Sequence, residues 1–348
     1  MTMNGSSSDS NVQVVVRVRP SSGSDSAVEV RGPREVLLAT GRQYHFDAVL
    51  GPESGQDAVF RLAGQPSVES CLAGYNSAVL AYGPTGSGKT HTMLGDIPGH
   101  VATTPRTPTK SERVQCRRRS GVLSRSSEDS ASRRSSLSSL PSDETPAVVS
   151  EGGAALSSRA GLTPRVFEYL FSRIEALRAE QPGAVFSVRA SFYEIYNEIV
   201  TDLLGRRSNL AVRQVAGGSA GATRVEGAEE REVADLPAAL SLIAAGLANR
   251  NVAGTATNEV SSRSHAVLRC AIECRQDGAG GVARLTRATL NLVDLAGSER
   301  QRRSGAAGQR LKEAASINKS LSALSHVVTH VVQGSRHVPY RDSKLTHL

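Results

Sequence analysis

A chain of 348 residues with 39% apolar content has the material for a buried core, as one large domain or two ordinary ones. No apolar run approaches the length of a membrane span and the N-terminus is rich in Ser, Asp and Asn, so neither a membrane partner nor a secretory leader is expected and the cytosol is the default compartment. A net charge of +8 favours an acidic partner surface, whether nucleic acid, anionic membrane or an acidic protein polymer. The absence of tryptophan and the 4% aromatic content fit a Val/Leu/Ala-packed α/β sheet better than an aromatic-cored sandwich. Cys71, Cys116, Cys270 and Cys274 match no zinc spacing and suggest no disulfide framework; Cys270 and Cys274 fit as packed thiols on one face of a strand.

Taken in chain order, residues 1–10 are polar and expected to be disordered, with the folded domain running over 11–348. Val12 to Pro20 alternates, is β-branched, and predicts a strand stopped by proline. Arg17 and Arg19 there read either as a charged strand end or as ligand contacts. Gln43–Asp47 predicts a short strand, Gln56–Leu72 an amphipathic segment, and Ser77–Tyr82 a short apolar strand. Directly after it, Gly83, Gly88, Lys89 and Thr90 fill the pattern G-x-x-x-x-G-K-[ST], which after a strand predicts a phosphate-binding loop rather than a chance Gly-rich turn. Its glycines let backbone N–H groups turn inward, Lys89 supplies a point charge for the terminal phosphates, and the Thr90 hydroxyl suits magnesium.

The helix that should follow is cut short at Gly95, and residues 96–160 form an insertion crowded with Ser, Thr, Arg and Pro. Expected to be disordered, it is either an inert solvated loop or a regulated basic arm that contacts an acidic partner or takes phosphate at Thr104, Thr107, Ser120 or Ser135. Gly161–Ile174 repeats apolar residues at helical spacing, Ala184–Glu198 reads as a strand, Ser208–Glu232 as a poorly defined hairpin region, and Leu236–Arg250 as an Ala/Leu helix.

Two further segments carry chemistry. Leu290–Asp294 is an apolar strand ending in a carboxylate, the form taken by an Asp that holds magnesium through water, although a turn or capping Asp would look the same. Gly297, just beyond, can bring its N–H close to a γ-phosphate. Asn258–His265 is a polar octet ahead of the strand Ala266–Cys274; its hydroxyls suit magnesium and phosphate, and Arg263 could pair with Glu299 to close a site, unless the octet is an ordinary loop.

Six motifs in register, Arg17–Pro20, Ala81–Met93, Asn258–His265, Asp294–Glu299, Ile317–Leu324 and Val338–Thr346, resemble those of the kinesin motor domain across nearly the whole chain. The resemblance implies an α/β fold of the P-loop NTPase type: a central, mostly parallel mixed sheet flanked by helices on both faces. It implies ATP and Mg2+, with Arg17, Arg19, Pro20 and His91 where the family packs the adenine, and Gly83, Pro84, Thr85, Gly86, Ser87, Gly88, Lys89 and Thr90 around the phosphates. Thr90 and Ser262 take the magnesium positions with Asp294 behind them. Asn258 and Ser261 lie near the γ-phosphate and attacking water, Gly297 senses the phosphate, and Arg263 with Glu299 forms the closing pair. Asn318 begins the family's relay helix, and the microtubule face includes Arg300, Arg302, Arg303, Arg310, Arg341 and Lys344. Basic residues there suit the acidic surface of tubulin.

The departures are Pro84 in place of the usual glutamine, which removes a backbone donor; the long insertion; and His347 where arginine is common. The chain ends at Leu348 within an expected helix, so the family's last core strand, last helix and neck linker are expected to be missing. Losing several buried side chains at about 1.5–3 kcal/mol each is comparable with a domain's margin of roughly 5–15 kcal/mol, so the chain is expected to be unstable or inactive alone. Leu321 stands where a guanine-reading N-K-x-D would need its Asp, which favours ATP. The leading expectation is an ATP-hydrolysing microtubule motor domain in the cytoplasm, on the cytoskeleton. The alternative is a non-motile microtubule-binding protein with little or no ATPase, and a weaker third is a nucleic-acid-binding ATPase. Dimerisation would have to come from sequence outside this chain.

Overall fold

The computed structural model describes residues 12–20, 27–97, 156–215, 223–254, 260–277, 283–299 and 309–348; for 253–254, 260–261 and 309–316 the backbone alone is described. All of them belong to the unit formed by 1–101 and 156–348. The expectations for residues 1–10, Thr104, Thr107, Cys116, Ser120, Ser135, Asn258, Arg300, Arg302 and Arg303 lie outside the described residues, as do the side chains of Ser261 and Arg310.

The chain opens with β1 (Val15–Arg17), followed by an antiparallel meander of β2 (Val28–Gly32), β3 (Glu35–Leu38) and β4 (Gln43–His45), and then β5 (Ala48–Leu50), which pairs parallel to β1. The amphipathic segment is helical throughout: α1 (Gln56–Val59), a π-helical turn (Phe60–Gly64) and α2 (Gln65–Leu72). Pro66 has no N–H to return to the preceding turn, and the wider π turn falls where that bond is lost. β6 (Ser77–Ala81) leads into the glycine loop and α3 (Lys89–Met93), which stops before Gly95 in a left-handed conformation with φ 58°. Gly95 bridges Ala160, and Asp96 donates its N–H to the Arg159 carbonyl at 3.1 Å. The insertion therefore leaves and re-enters at one point, with Ile97 and Ala160 buried there, so its first and last residues are part of the folded unit.

α4 (Leu162–Glu180) buries Val166, Phe167, Leu170 and Ile174, a stripe at helical spacing. β7 (Ala184–Tyr196) turns through Asn197 and Glu198, both with positive φ, into β8 (Ile199–Asp202). β9 (Val212–Gln214) and β10 (Thr223–Val225) form the expected hairpin, and β11 (Arg231–Glu232) pairs with β7. Then come α5 (Leu236–Gly254), α6 (Val260–Arg263), β12 (His265–Asp277), β13 (Ala283–Asp294), α7 (Gln309–Val332), a 3-10 turn (Tyr340–Asp342) and α8 (Lys344–His347). Asn318 lies inside α7 rather than at its start.

The central sheet is mixed, with order β11-β7-β12-β13-β6 and β8 on β7. The expected predominance of parallel pairing is corrected: β6 with β13 is parallel, whereas β12 with β13, β12 with β7, β8 with β7 and β11 with β7 are antiparallel. The reason lies in the connections, since β12 and β13 are joined by the short link 278–282, which permits only an antiparallel return. Alternate residues of these strands enter two cores. Phe192, Leu268 and Leu292 join α4 and α5 residues on one face, and Tyr193, Val267 and Val293 join Leu321, Leu324 and Leu345 on the other. Helices thus cover both faces, as expected.

Candidate functional site

The parallel register sets Ala81 opposite Asp294, so the glycine loop after β6 and the segment after β13 open at the same sheet end. Gly83, Gly86 and Gly88 have φ of 153°, 79° and 100°, values L side chains rarely adopt; at Gly86 and Gly88 the space is open, so the dihedral selects glycine. Pro84 serves the loop through its carbonyl, which accepts from Ser87 N–H at 3.1 Å and Lys89 Nζ at 3.1 Å, a role that needs no N–H. Lys89 Nζ also donates to the Gly83 carbonyl at 3.0 Å. Burial lowers the Lys89 pKa, and Asp294 and Glu299 pull the other way.

Thr90 Oγ1 donates to Asp294 Oδ2 at 2.6 Å. Asp294 is buried, and burial pushes its pKa up against the Thr90 bond and the charges of Arg250 and Lys89. Its second oxygen, Oδ1, is buried without a hydrogen-bond partner among the described residues. An unpaired buried carboxylate oxygen beside a threonine hydroxyl fits a hydrated divalent cation, which these two side chains would hold as hard oxygen ligands, while the Lys89 ammonium suits an anion beside it.

Two further segments close on this loop. Gly297 N–H donates to the Ser262 carbonyl at 2.8 Å, and Ser298 N–H to the Gly83 carbonyl at 3.1 Å. A Cβ on Gly297 would meet Thr85 Oγ1 and the Glu299 carboxylate, so any larger residue would have to displace those two side-chain ends. The Arg263–Glu299 pair expected from the sequence is not among the ion pairs of the described residues; both Glu299 oxygens face the glycine loop. Thr85 N–H donates to Oε2 at 2.8 Å and Thr85 Oγ1 to Oε1 at 2.5 Å. Burial raises the Glu299 pKa, but the Thr85 hydroxyl and amide and Lys89 outweigh it and hold the carboxyl below its ordinary value.

On the opposite side of the loop, Arg17 donates to Gln56 Oε1 and Thr92 Oγ1, each at 2.9 Å, and Arg19 to the Gly86 carbonyl. Arg19 therefore meets the phosphate loop, while Pro20 is exposed. Gln56, 3% exposed, donates to the His91 carbonyl at 2.8 Å with its amide 3.3 Å from His91 Nε2. It holds Arg17 and His91 together, and sequence reasoning missed it; its signal was a polar residue on the inward side of an amphipathic segment. A second missed group anchors the residues after Ser262. Arg250 and Glu194, each side chain 8% exposed, pair at 3.2 Å; Arg250 Nη2 reaches Ser264 Oγ at 3.1 Å, and that hydroxyl donates to Glu194 Oε1 at 2.6 Å.

Of the expected filament-facing residues, Arg341 is exposed and donates to Gln214 Oε1 at 2.7 Å, and the Lys344 N–H is capped by Glu198 Oε2 at 2.8 Å. His347 has its pKa lowered by burial and by Arg341 and Lys344, which disfavours its charged form.

A glycine loop between a parallel strand and a short helix, closed by two segments from the same sheet end, defines the P-loop nucleotide-binding class. Within that class the kinesin motor domain family matches residues 3–136 and 149–348. The chain is 41% identical over 360 residues to Kinesin-like protein KIN-12G of Oryza sativa subsp. japonica and 41% over 358 residues to Kinesin-like protein KIN-12E of Arabidopsis thaliana. In each case the match covers 98% of this chain and 24% of the relative, so the chain spans about a quarter of their length. A solved structure of a fast kinesin, described with its implications for ATPase mechanism and interactions with microtubules, superposes with a TM-score of 0.70 at 31% identity over 97% of this chain and 80% of that one. The chain belongs to the kinesin motor domain family.

Proposed function

We propose that this chain hydrolyses ATP to ADP and phosphate and couples the reaction to microtubule binding and movement. The observation that carries the reading is the meeting of three segments far apart in sequence: Thr90 on Asp294, Gly297 on Ser262, and Glu299 on Thr85. Lys89 would bind the terminal phosphates, with Arg17, Gln56 and His91 on the base side. Mg2+, held by Thr90 and Ser262 with Asp294 behind, would neutralise phosphate charge. Asn258 and Ser261 would orient the attacking water, and the Gly297 N–H would exchange the Ser262 carbonyl for a γ-phosphate oxygen. Closure would transfer Glu299 from Thr85 to Arg263. Catalysis of this kind is positioning and charge stabilisation, so small displacements matter. Arg341 and Lys344, together with Arg300, Arg302, Arg303 and Arg310, would meet an acidic filament in the cytoplasm.

The test is steady-state ATPase with microtubules, with DNA or RNA, and with neither. Stimulation by microtubules is the expected result; binding without turnover would favour a non-motile microtubule-binding protein, and stimulation by nucleic acid would overturn the filament assignment.

A further inference from the structure

The segment that would sense phosphate is joined to the long helix α7 through one buried side chain to which the steps above give no part. Ala296 N–H donates to His265 Nδ1 at 3.0 Å. With Nδ1 accepting, a neutral ring carries its proton on Nε2, which lies 2.8 Å from Ser320 Oγ, and the Ser320 hydroxyl donates to the Ile317 carbonyl at 2.8 Å. The direction of every bond in the series is thereby fixed, from main chain to imidazole to hydroxyl to helix carbonyl. His265 is 2% exposed and Ser320 3%, so water does not substitute for either partner. Burial, with Arg250 and Lys89 nearby, brings the His265 pKa down to about 4, in keeping with a neutral ring.

Gly297 follows Ala296 directly, and its N–H is bonded to the Ser262 carbonyl. If a phosphate oxygen draws that N–H away, the adjoining peptide of Ala296 moves with it. A buried imidazole that kept its place would lose one of its two partners, which is costly in an apolar setting. We propose that His265 is a positioning residue that transmits displacement of the Ala296–Gly297 main chain to α7 at Ser320. The inference rests on the reading of this site as a nucleotide site. A competing route exists in the apolar cluster that includes Leu295 and against which Leu321 and Leu324 pack, so the test must leave those residues intact.

Amide hydrogen exchange on the whole chain, with and without Mg2+ and a slowly hydrolysed ATP analogue, separates the two routes. In the unmodified chain the analogue is expected to protect residues 83–90 and to change exchange in the part of α7 from Ile317 to Val332. Ser320→Ala removes the hydroxyl; His265→Asn keeps an acceptor near the Nδ1 position but no longer reaches Ser320. Both variants are expected to keep protection of 83–90 and to lose the helix response, and Ser320→Thr, which restores a hydroxyl, is expected to restore it. A full helix response in both Ser320→Ala and His265→Asn overturns the proposal in favour of the apolar route. Absence of protection at 83–90 in the unmodified chain overturns the nucleotide reading, and this inference with it.

Discussion

Thr85 and Glu299, 214 positions apart in the chain, share two hydrogen bonds, one from the Thr85 amide at 2.8 Å and one from its hydroxyl at 2.5 Å. The contact ties the phosphate loop to the segment after Asp294 and occupies the carboxylate that we propose Arg263 takes on closure. If Glu299 alternates between these partners, its removal affects turnover more than binding. Glu299→Ala is expected to leave ADP affinity near that of the unmodified chain and to lower kcat by about a hundredfold or more, as for a group acting only in the closed state. Hydrolysis at the unmodified rate would rule out a catalytic part for Glu299.

The same carboxyl carries a pH dependence. Its folded-state pKa lies below the ordinary glutamate value of 4.5, so the latch contributes above that value and is lost as pH falls through the lowered one. Protection of the Thr85 amide in hydrogen exchange, corrected for intrinsic rate, is expected to be constant from neutrality down to about pH 5 and to fall below it. In Glu299→Gln the fall should vanish.

Asp294 has the opposite sign. Its pKa is raised by burial, so the charged form costs stability above the raised value and the cost disappears as pH falls below it. Asp294→Asn is therefore expected to raise the Tm of the nucleotide-free protein at neutral pH while weakening the Mg2+-dependent part of nucleotide affinity. Titration with a fluorescent ADP at varied Mg2+, paired with calorimetry, checks both; an unchanged or lower Tm contradicts the account of Asp294 as a destabilised ligand.

Gln56→Ala removes the side chain that holds Arg17 and His91. ADP affinity is expected to fall about tenfold, on the scale of one lost charged hydrogen bond, while affinity for tripolyphosphate stays unchanged because Lys89 and the glycine loop are untouched. Equal losses for both ligands would place Gln56 in general stability rather than on the base side.

Glu194→Ala removes the carboxylate that pairs with the buried Arg250 guanidinium and accepts from Ser264 Oγ. A loss of about 3–5 kcal/mol in urea unfolding is expected, because a broken buried pair costs far more than an intact one contributes. A loss under about 1 kcal/mol, the range of exposed pairs, would mean the site is wetter than its 8% side-chain exposure indicates.

What could be read from the sequence was whatever local chemistry dictates. Gly83, Gly86 and Gly88 need special dihedrals, Lys89 and Thr90 follow them at fixed spacing, and Asp294 ends an apolar strand, so each announced itself within a few residues. Partners chosen across the fold did not. Gln56 matters because two distant side chains turn towards it, and Arg250 finds Glu194 only after β7 and α5 have packed. The pairing sense of the sheet was hidden for a different reason: read as Ala266–Cys274 and Leu290–Asp294, the two strands are too short to reveal the link of 278–282 that forces an antiparallel return. The choice of Thr85 over Arg263 by Glu299 was likewise invisible, since spacing fixes which loops meet but not which of several donors a carboxylate takes.

The most direct measurement is a crystal structure of this chain with Mg2+ and a slowly hydrolysed ATP analogue. The account predicts the triphosphate in the loop of residues 83–90, Lys89 on its terminal phosphates, the metal between Thr90 and Ser262 with Asp294 beyond, and the Gly297 N–H turned to the γ-phosphate. A ligand bound elsewhere, or bound with Ser262, Asp294 and Gly297 unmoved and out of reach, would contradict it.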